Sequence, residues 1–411
     1  MSELRGSVKK NLQKAVDFLT EMIRYPSLSG KDEEEVQGYI AGMLDPFGTV
    51  EMVPVPESIK KDPFFTFADW ELDYRRRKNV VLRWPSKGGG RSLILNSHAD
   101  VVPATNWPDA FTPKIENNFV IGRGACDCKG HLATLYLVLL ALKDLGIRLK
   151  GDLQVQSVIE EEVGGNGSLA LIRQGYKADA VIVLESTELK IMPANRGAIW
   201  FTLDVEGKSI HMGKIRQGVN AIEKTCFLMK RLREYEKRLV EESRNVPLFE
   251  EYEQPVQVNF GTIQGDGWPA MVCGKVRMEG GVGFLHNKDL ETIKREVREV
   301  IETCGDPWIK DHYILSFPKL HNDAYGTDRN HPVVLALEEA ATGSDLAPKV
   351  TGFIVSCDAR LFNKAGGMPT VVFGPGRIDD AHSVTERLDI AQMEKAAEVV
   401  ARTVIAWCGK E

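Results

Sequence analysis

The sequence has none of the segments that mark a membrane or secreted protein. Its longest apolar stretch, Leu132–Leu142, is about half of what a bilayer-spanning helix needs. The residues after Met1 are charged and form no apolar leader, so we expect no targeting segment. Seven cysteines without a C-x-x-C pair provide no disulfide framework, and the close pair Cys126 and Cys128 is expected to fill space. We therefore expect a cytoplasmic protein.

An excess of positive charge is also missing. The chain has 52 Lys and Arg against 58 Asp and Glu, for a net charge of −6. This balance argues against a nucleic-acid binder or an anionic-membrane binder, both of which need a basic face. With 43% hydrophobic residues, the chain has too much apolar material to be mainly disordered.

What is present predicts two domains, because 411 residues exceed the usual 100–200 or so of one domain. Short apolar runs alternate with helical patterns through residues 1–196 and again through 317–411. Runs of this kind indicate a mainly parallel sheet covered by helices on both faces, a three-layer α/β domain. The runs are 79–84, 92–96, 153–159, 180–184 and 370–373.

Between Pro54 and Lys78 the sequence is irregular and rich in charge and aromatics. We interpret this segment as a surface excursion, either flanking a pocket or holding its own small apolar anchor.

The segment 197–316 has a different pattern. Strand-like 198–206, 256–264, 271–279 and 310–316 are interleaved with helical 217–242 and 287–304. The order β-α-β-β-α-β predicts a ferredoxin-like α+β domain inserted into the larger one.

Potential metal ligands stand at five places in the sequence, which follow apolar runs or lie in a glycine-rich loop. The ligands of an open α/β sheet gather beyond the carboxyl ends of its strands, so these residues should meet on one rim. Two imidazoles with three carboxylates suit two borderline cations such as zinc, with one carboxylate bridging. The candidates are His98, Asp127, the pair Glu161 and Glu162, Glu185 and His382.

Taken singly, some of these residues have plainer interpretations. His98 alone is typical of a hydrogen-bonded core histidine, and an acidic run such as 160–162 is typical of a solvated turn. Their joint placement favours a metal centre. Asp100, two residues after His98, can hold the other nitrogen of that imidazole.

Six motifs in this order resemble the zinc-dependent amidohydrolase and metallopeptidase family that contains acetylornithine deacetylase, succinyl-diaminopimelate desuccinylase, the aminoacylases and glutamate carboxypeptidases. The match covers essentially the whole chain. The motifs are S-H-A-D-V-V-P (97–103), G-R-G-A-C-D-C-K-G (122–130), E-E-E-V-G-G (160–165), the strand end at Glu185, G-K-S-I-H (207–211) and G-P-G-R-I-D-D-A-H-S-V-T-E-R (374–387).

The resemblance implies two divalent ions per subunit, with zinc as the first choice and cobalt or manganese as alternatives. It implies His98, Asp127, Glu162, Glu185 and His382 as ligands, with Asp127 bridging. It also implies Glu161 as the general base. The inserted domain would be a lid and dimerisation domain, and its His211 would reach the active site of the partner subunit in a homodimer. The chain departs from the family at Cys128, where methionine is common.

These features predict a hydrolase that removes the acyl group from an N-acylated amino acid or a similar small amide. Arg277 is either a grip for a substrate carboxylate or an ordinary exposed strand arginine. A dipeptidase or carboxypeptidase is the alternative, because it shares every catalytic residue. A non-catalytic binding protein on this scaffold would have lost a ligand or the base, and none is lost. A nucleotide site at Gly122-x-Gly124 lacks the third glycine and the ribose-binding acid.

Overall fold

The computed structural model describes residues 2–68 and 70–411. The chain divides into two compact units. The first comprises the chain up to Ala194, Gly326–Phe353 and Cys357–Glu411. The second comprises Asn195–Tyr325 and Ile354–Ser356.

The secondary structure alternates through the first unit and regroups in the second. The helices are α1 (Ser2–Ile23), α2 (Glu34–Leu44), α3 (Lys129–Asp144), α4 (Asn166–Arg173), α5 (Ala221–Ser243), α6 (Leu290–Glu302), α7 (Pro332–Gly343), α8 (Ala359–Lys364) and α9 (Ile390–Cys408). The strands are β1 (Thr49–Pro54), β2 (Lys78–Trp84), β3 (Leu93–His98), β4 (Lys114–Glu116), β5 (Phe119–Ile121), β6 (Leu153–Val158), β7 (Ala180–Val183), β8 (Ile191–Asn195), β9 (Gly197–Glu206), β10 (Gln257–Gly265), β11 (Lys275–Phe284), β12 (Tyr313–Ser316), β13 (His321–Asn322), β14 (Tyr325–Gly326), β15 (Val350–Phe353), β16 (Thr370–Val372) and β17 (Arg387–Asp389).

The central sheet of the first unit has the order β1-β2-β6-β3-β7-β16-β8-β14, and β15 pairs with β8. Its middle is parallel, because β3 pairs in parallel with both β6 and β7, and β16 pairs in parallel with β7. The antiparallel partners lie to either side, with β2 against β6 and β8 against β16. The four parallel strands therefore direct their carboxyl ends to one edge of the sheet.

The sheet is covered on both faces because its strands are apolar on both sides. Val80 and Leu82 of β2 belong to the main core, which also contains residues of α1, α2, α3 and α9. Val81, between them, lies in a second cluster with Val158 and with Leu171 of α4. Successive residues of a strand point to opposite faces, so this alternation gives three layers. The predicted fold class is confirmed.

The second unit is built on an antiparallel sheet with the order β10-β11-β9-β12, to which β13 adds by pairing with β9. The chain order β9-α5-β10-β11-α6-β12 is the ferredoxin-like arrangement. Caps fix the starts of both helices: Asn220 Oδ1 accepts from the Ile222 N–H, and Asp289 Oδ1 accepts from the Thr292 N–H.

One predicted strand is shifted along the chain. The sequence pattern places it at 271–279, whereas β11 covers Lys275–Phe284. The reason is local, since the Asp266 carboxylate accepts from the N–H groups of Gly274 and Lys275 and ties up the connection before the strand. Across the described chain, the helices lack the length and apolarity of a membrane span.

Candidate metal centre

Five predicted ligands of the first unit come together at the carboxyl edge of the central sheet. His98 is the last residue of β3, and Glu185 follows β7 by two residues. Glu162 lies in the turn after β6, and His382 lies in the segment after β16. Asp127 is supplied by the loop before α3. The grouping follows from the parallel order of these strands, because neighbouring strands end at the same edge.

Asp127 lies between two groups of donors. Its Oδ1 is 3.1 Å from His98 Nε2, and its Oδ2 is 3.2 Å from His382 Nε2. The first group adds Glu185, whose Oε1 is 3.7 Å from His98 Nε2. The second adds Glu162, whose Oε2 is 3.1 Å from His382 Nε2. Within each group the donor atoms lie within 4.8 Å of one another. One carboxylate thus offers an oxygen to each group.

Cys128 joins the first group, which the sequence did not predict. Its Sγ is 2.9 Å from Glu185 Oε2, and the thiol is buried. The sequence pattern suggested a space-filling residue, because a lone thiol two residues from another carries no ligand signature. The peptide bond between Asp127 and Cys128 is cis.

Glu161 belongs to neither group but lies beside the first. Its Oε2 is 4.0 Å from His98 Nε2, and its side chain is 14% exposed, so water can reach it. Asp100 touches both sides of the site. His98 Nδ1 lies 3.0 Å from the backbone carbonyl oxygen of Asp100 and 3.4 Å from its Oδ1, and the two carboxylate oxygens accept from the N–H groups of Glu161 and Glu162. Asp100 therefore orients the imidazole, through its carbonyl oxygen and its Oδ1, and holds the acidic turn through its carboxylate.

The loop that carries Asp127 is held by Glu386, a residue that the sequence pattern gave no role. Glu386 Oε1 accepts from the N–H groups of Cys126 and Asp127, at 2.9 and 3.0 Å. Its Oε2 accepts from Arg123 Nη1 at 2.6 Å, and both side chains are buried. The signal that could have found it is the acid in the motif A-H-S-V-T-E-R, four residues after His382.

The first acid of the triplet, Glu160, is fixed in a buried network. Its backbone has φ of 64°, in the left-handed region. Its carboxylate accepts from Tyr74 Oη at 2.7 Å and from Asn166 Nδ2 at 2.9 Å, and it forms an ion pair with Arg77. Arg77 continues to Glu33, 2.6 Å from its Nη2. Glu161 and Glu162 follow this fixed residue directly. Gly164 and Gly165, with φ of 122° and 82°, then turn the chain into α4.

The carboxylates are crowded enough to change their acidity. Burial raises the pKa of Glu185 to about 8 and that of Glu162 to about 7, with the charge of Asp127 adding to both. Burial also raises the pKa of Glu161 well above its usual range. Hydrogen bonds to Asp127 and Glu162 raise the pKa of His382 to about 11. Buried like charges of this density favour either protons or cations.

The donor set fits divalent ions. Glu185 Oε1 is buried and has no hydrogen-bond partner in the described chain, although an unpaired buried carboxylate oxygen is costly. Imidazole and carboxylate donors in two groups around a shared aspartate suit zinc, cobalt or manganese.

Two predicted site residues belong to the second unit. His211 is exposed, and its Nδ1 accepts from the Gly213 N–H at the start of a short 3₁₀ helix, Met212–Gln217. Arg277, in β11, makes a two-pronged ion pair with Asp204, with Nε and Nη2 at 2.9 and 2.8 Å from its oxygens. The Nε/Nη2 edge of Arg277, two of the five N–H donors of its guanidinium, is thus occupied by Asp204.

Comparison with known proteins agrees with this geometry. The profile of the peptidase family M20/M25/M40 matches residues 94–406. The chain is 26% identical to an N-formyl-4-amino-5-aminomethyl-2-methylpyrimidine deformylase of Bacillus subtilis, over 99% of this chain and 98% of the relative. It is also 26% identical to an acetylornithine deacetylase of Erwinia tasmaniensis, over 98% of this chain and all of the relative.

Solved structures show the same fold. A tripeptidase from Staphylococcus aureus superposes with a TM-score of 0.78 at 20% identity, covering 97% of this chain and 99% of that one. A dinuclear metal-binding M20 peptidase from Bacillus subtilis superposes with a TM-score of 0.68 at 17% identity, covering 97% and 99%. The resemblance found in the six motifs is confirmed: the chain belongs to the peptidase family M20/M25/M40 and is a metal-dependent hydrolase of amide or peptide bonds.

Proposed function

We propose that the chain is a di-zinc deacylase, which hydrolyses the amide bond of an N-acylated amino acid or a similar small amide. The observation that carries this proposal is the position of Asp127, with one oxygen toward His98 and the other toward His382. The most similar sequence relatives reported above are a deformylase and a deacetylase, and both names describe removal of a small acyl group. They favour deacylation over peptide cleavage.

The proposed ligands are His98 and Glu185 for one ion, Glu162 and His382 for the other, and Asp127 for both. When bound, two such ions acidify a water molecule and polarise the substrate carbonyl. Zinc is our choice because imidazole and carboxylate donors suit it, with cobalt or manganese as alternatives. Asp100 contacts His98 Nδ1 through its backbone carbonyl oxygen at 3.0 Å and its Oδ1 at 3.4 Å, which leaves Nε2 directed toward Asp127.

Glu161 is the proposed general base. It takes a proton from the attacking water and passes it to the departing amine, which requires a carboxylate near the centre that is not itself a ligand. Glu161 meets this requirement because it is outside both donor groups and lies 4.0 Å from His98 Nε2. The hydrogen bonds from its own N–H and that of Glu162 to Asp100 fix the turn on which it stands.

A homodimer through the second unit is also proposed, in which His211 of the partner subunit donates to the developing oxyanion. Several large apolar side chains of the second unit are exposed to solvent. They are Met212 and Ile215 at 56%, Ile263 at 54% and Trp268 at 70%. These exposed apolar side chains support a surface that another protein covers.

One assay separates deacylation from peptide hydrolysis. The zinc-loaded protein is incubated with N-acetyl and N-formyl amino acids and with dipeptides, and the released amine is measured. We expect turnover of the N-acyl amino acids, and Glu161→Gln serves as the matched inactive control. Turnover of dipeptides alone would make the chain a dipeptidase or carboxypeptidase with the same catalytic residues.

A further inference from the structure

The sheet of the second unit has one open face. On β9, Ile199, Phe201 and Leu203 are buried at 0–1% exposure, and helix α5 packs against β9, β10 and β11. The alternate residue Trp200 is 49% exposed. Side chains of a strand alternate between faces, so Trp200 and its cross-strand neighbours form a surface that no helix of this unit covers.

A trough of about 440 Å³ runs across this open face. Its floor is Gly281 and Gly283 of β11, which pair with Trp200 and Ala198 of β9. A Cβ at Gly283 would lie 3.2 Å from Arg196 Cζ, and one at Gly281 would lie 3.2 Å from Trp200 Cδ1. The two glycines therefore leave the space in which the Arg196 and Trp200 side chains lie.

Arg196 lines the trough, and its guanidinium has no ion-pair partner among the described residues. Its Nη1 donates to Gln257 Oε1 at 2.6 Å, whereas its Nε is buried and has no hydrogen-bond partner in the described chain. Among residues 2–68 and 70–411, no carboxylate forms an ion pair with it. Arg277 on the same face provides the contrast, because its guanidinium is neutralised by Asp204. A guanidinium remains charged in proteins, so partial burial without an anion is unfavourable.

The donors that remain on Arg196 select the ligand. Nε is closed to solvent and Nη1 donates one of its two hydrogens to Gln257, so the outer end of the guanidinium, Nη2 with the second N–H of Nη1, is the part that can bind a carboxylate through two hydrogen bonds. The other cation of the trough, Lys319, lies 3.7 Å from Glu279, so the lining provides one uncompensated charge and suits a monoanion. The volume is that of a small ligand, and Trp200 offers an apolar face beside the charge.

We propose that this trough binds a small organic acid, with the carboxylate held by Arg196. The acid is either the substrate's own carboxylate, which would rest on the function proposed above, or a separate effector. Both sources have the same chemistry at Arg196.

Binding is measured by calorimetry on the full-length, metal-loaded Glu161→Gln protein, so that no turnover interferes. The probes are N-acetyl-L-alanine and its neutral counterpart N-acetyl-L-alaninamide. We expect the acid to bind at least about tenfold more tightly than the amide, as two charge-assisted hydrogen bonds allow. Adding Arg196→Met should abolish this preference, whereas Arg295→Met, the same change at an exposed arginine of α6, should leave it intact.

An acid-over-amide preference that is equal in the Arg196→Met and Arg295→Met proteins would overturn the proposal. So would inorganic phosphate binding as tightly as the acid, because the site would then be a general anion site. If Arg196→Met does not fold, Gly281→Leu tests the same trough, since it fills the floor and keeps the charge. The melting temperature of each variant shows whether it is folded.

Kinetics on the otherwise wild-type enzyme identify the source of the acid. If the substrate carboxylate is the ligand, Arg196→Met raises KM for N-acyl amino acids and leaves KM for their amides unchanged. If an effector is the ligand, the constants of both substrates stay the same while binding of the acid is lost. Because binding is measured on an inactive protein, the binding result remains valid even if the proposed deacylase activity is not found.

Discussion

Three consecutive glutamates in this chain have three different surroundings. Glu160 is fully buried, and its carboxylate is satisfied by hydrogen bonds and an ion pair. Glu161 lies outside both donor groups, and Glu162 contacts His382. The sequence allows this separation of roles to be predicted for Glu161 and Glu162, through the family motif. It does not reveal Glu160, because Tyr74 and Arg77 are 86 and 83 positions away.

The separation of roles can be tested by two substitutions of equal size. Glu161→Gln should keep its metals and lose at least about 100-fold in kcat, the low end for general-base catalysis. Glu162→Gln should lose metal affinity, because an amide nitrogen replaces one of the carboxylate oxygens that would bind the metal ion. Elemental analysis and turnover on the same preparations distinguish the two effects, and an active Glu161→Gln enzyme would show that the roles are wrong.

Metal removal tests the donor groups directly. We expect up to about two divalent ions per chain, loss of amide hydrolysis with a chelator, and recovery on adding zinc. Ions that bind only the folded state also stabilise it, so the melting temperature should rise with zinc concentration. Elemental analysis that finds no zinc, cobalt or manganese after reconstitution would exclude the di-metal centre.

At the scale of elements, the irregular segment 54–78 combines buried aromatic side chains with polar contacts that the sequence does not reveal. Its composition predicted either a flank of a pocket or a loop with its own apolar anchor. The structure shows Phe65 and Tyr74 buried, and it shows polar anchoring by Tyr74 and Arg77 onto the residue before Glu161. Strand ends could be predicted because each follows an apolar run, whereas buried polar pairs depend on long-range contacts that leave no local pattern.

This anchoring predicts large effects away from the metal ligands. Arg77→Met should cost about 3–5 kcal/mol in the free energy of unfolding, because Glu33 and Glu160 would be left buried without their cation. Tyr74→Phe should cost about 1–3 kcal/mol through the lost hydrogen bond to Glu160. Urea unfolding measures both, with kcat measured in parallel.

The neighbouring residue provides the control. Arg76→Met removes the same charge from an arginine that is 79% exposed and paired with Glu34 at the surface. It should change stability by less than about 1 kcal/mol. Equal costs for Arg76→Met and Arg77→Met would contradict the role of the buried network.

For the whole molecule, the decisive question is the dimer. The resemblance implies that each centre combines Glu161 of one subunit with His211 of the partner subunit, and a two-fold axis makes the exchange reciprocal. Two inactive variants, Glu161→Ala and His211→Ala, should therefore complement each other when co-expressed with different tags. A mixed dimer then has one intact centre and one doubly defective centre.

Random pairing makes about half of the dimers mixed, so activity should return to about a quarter of wild type. Purification through both tags isolates the mixed species for the assay, and sedimentation shows its mass. If the isolated mixed dimer is as inactive as its parents, His211 does not act across the interface.

The position of β16 between β7 and β8 also determines when the central sheet can be completed during synthesis. Residues 370–372 are made long after both neighbouring strands, and β16 pairs with each of them. Until these residues leave the ribosome, the emerging chain has an unpaired edge at β7, in the middle of its future sheet. Open edges of this kind recruit other strands, so the nascent protein is exposed to aggregation until β16 has been synthesised. His382 follows the same strand, so the second donor group is completed only after β16 has been synthesised.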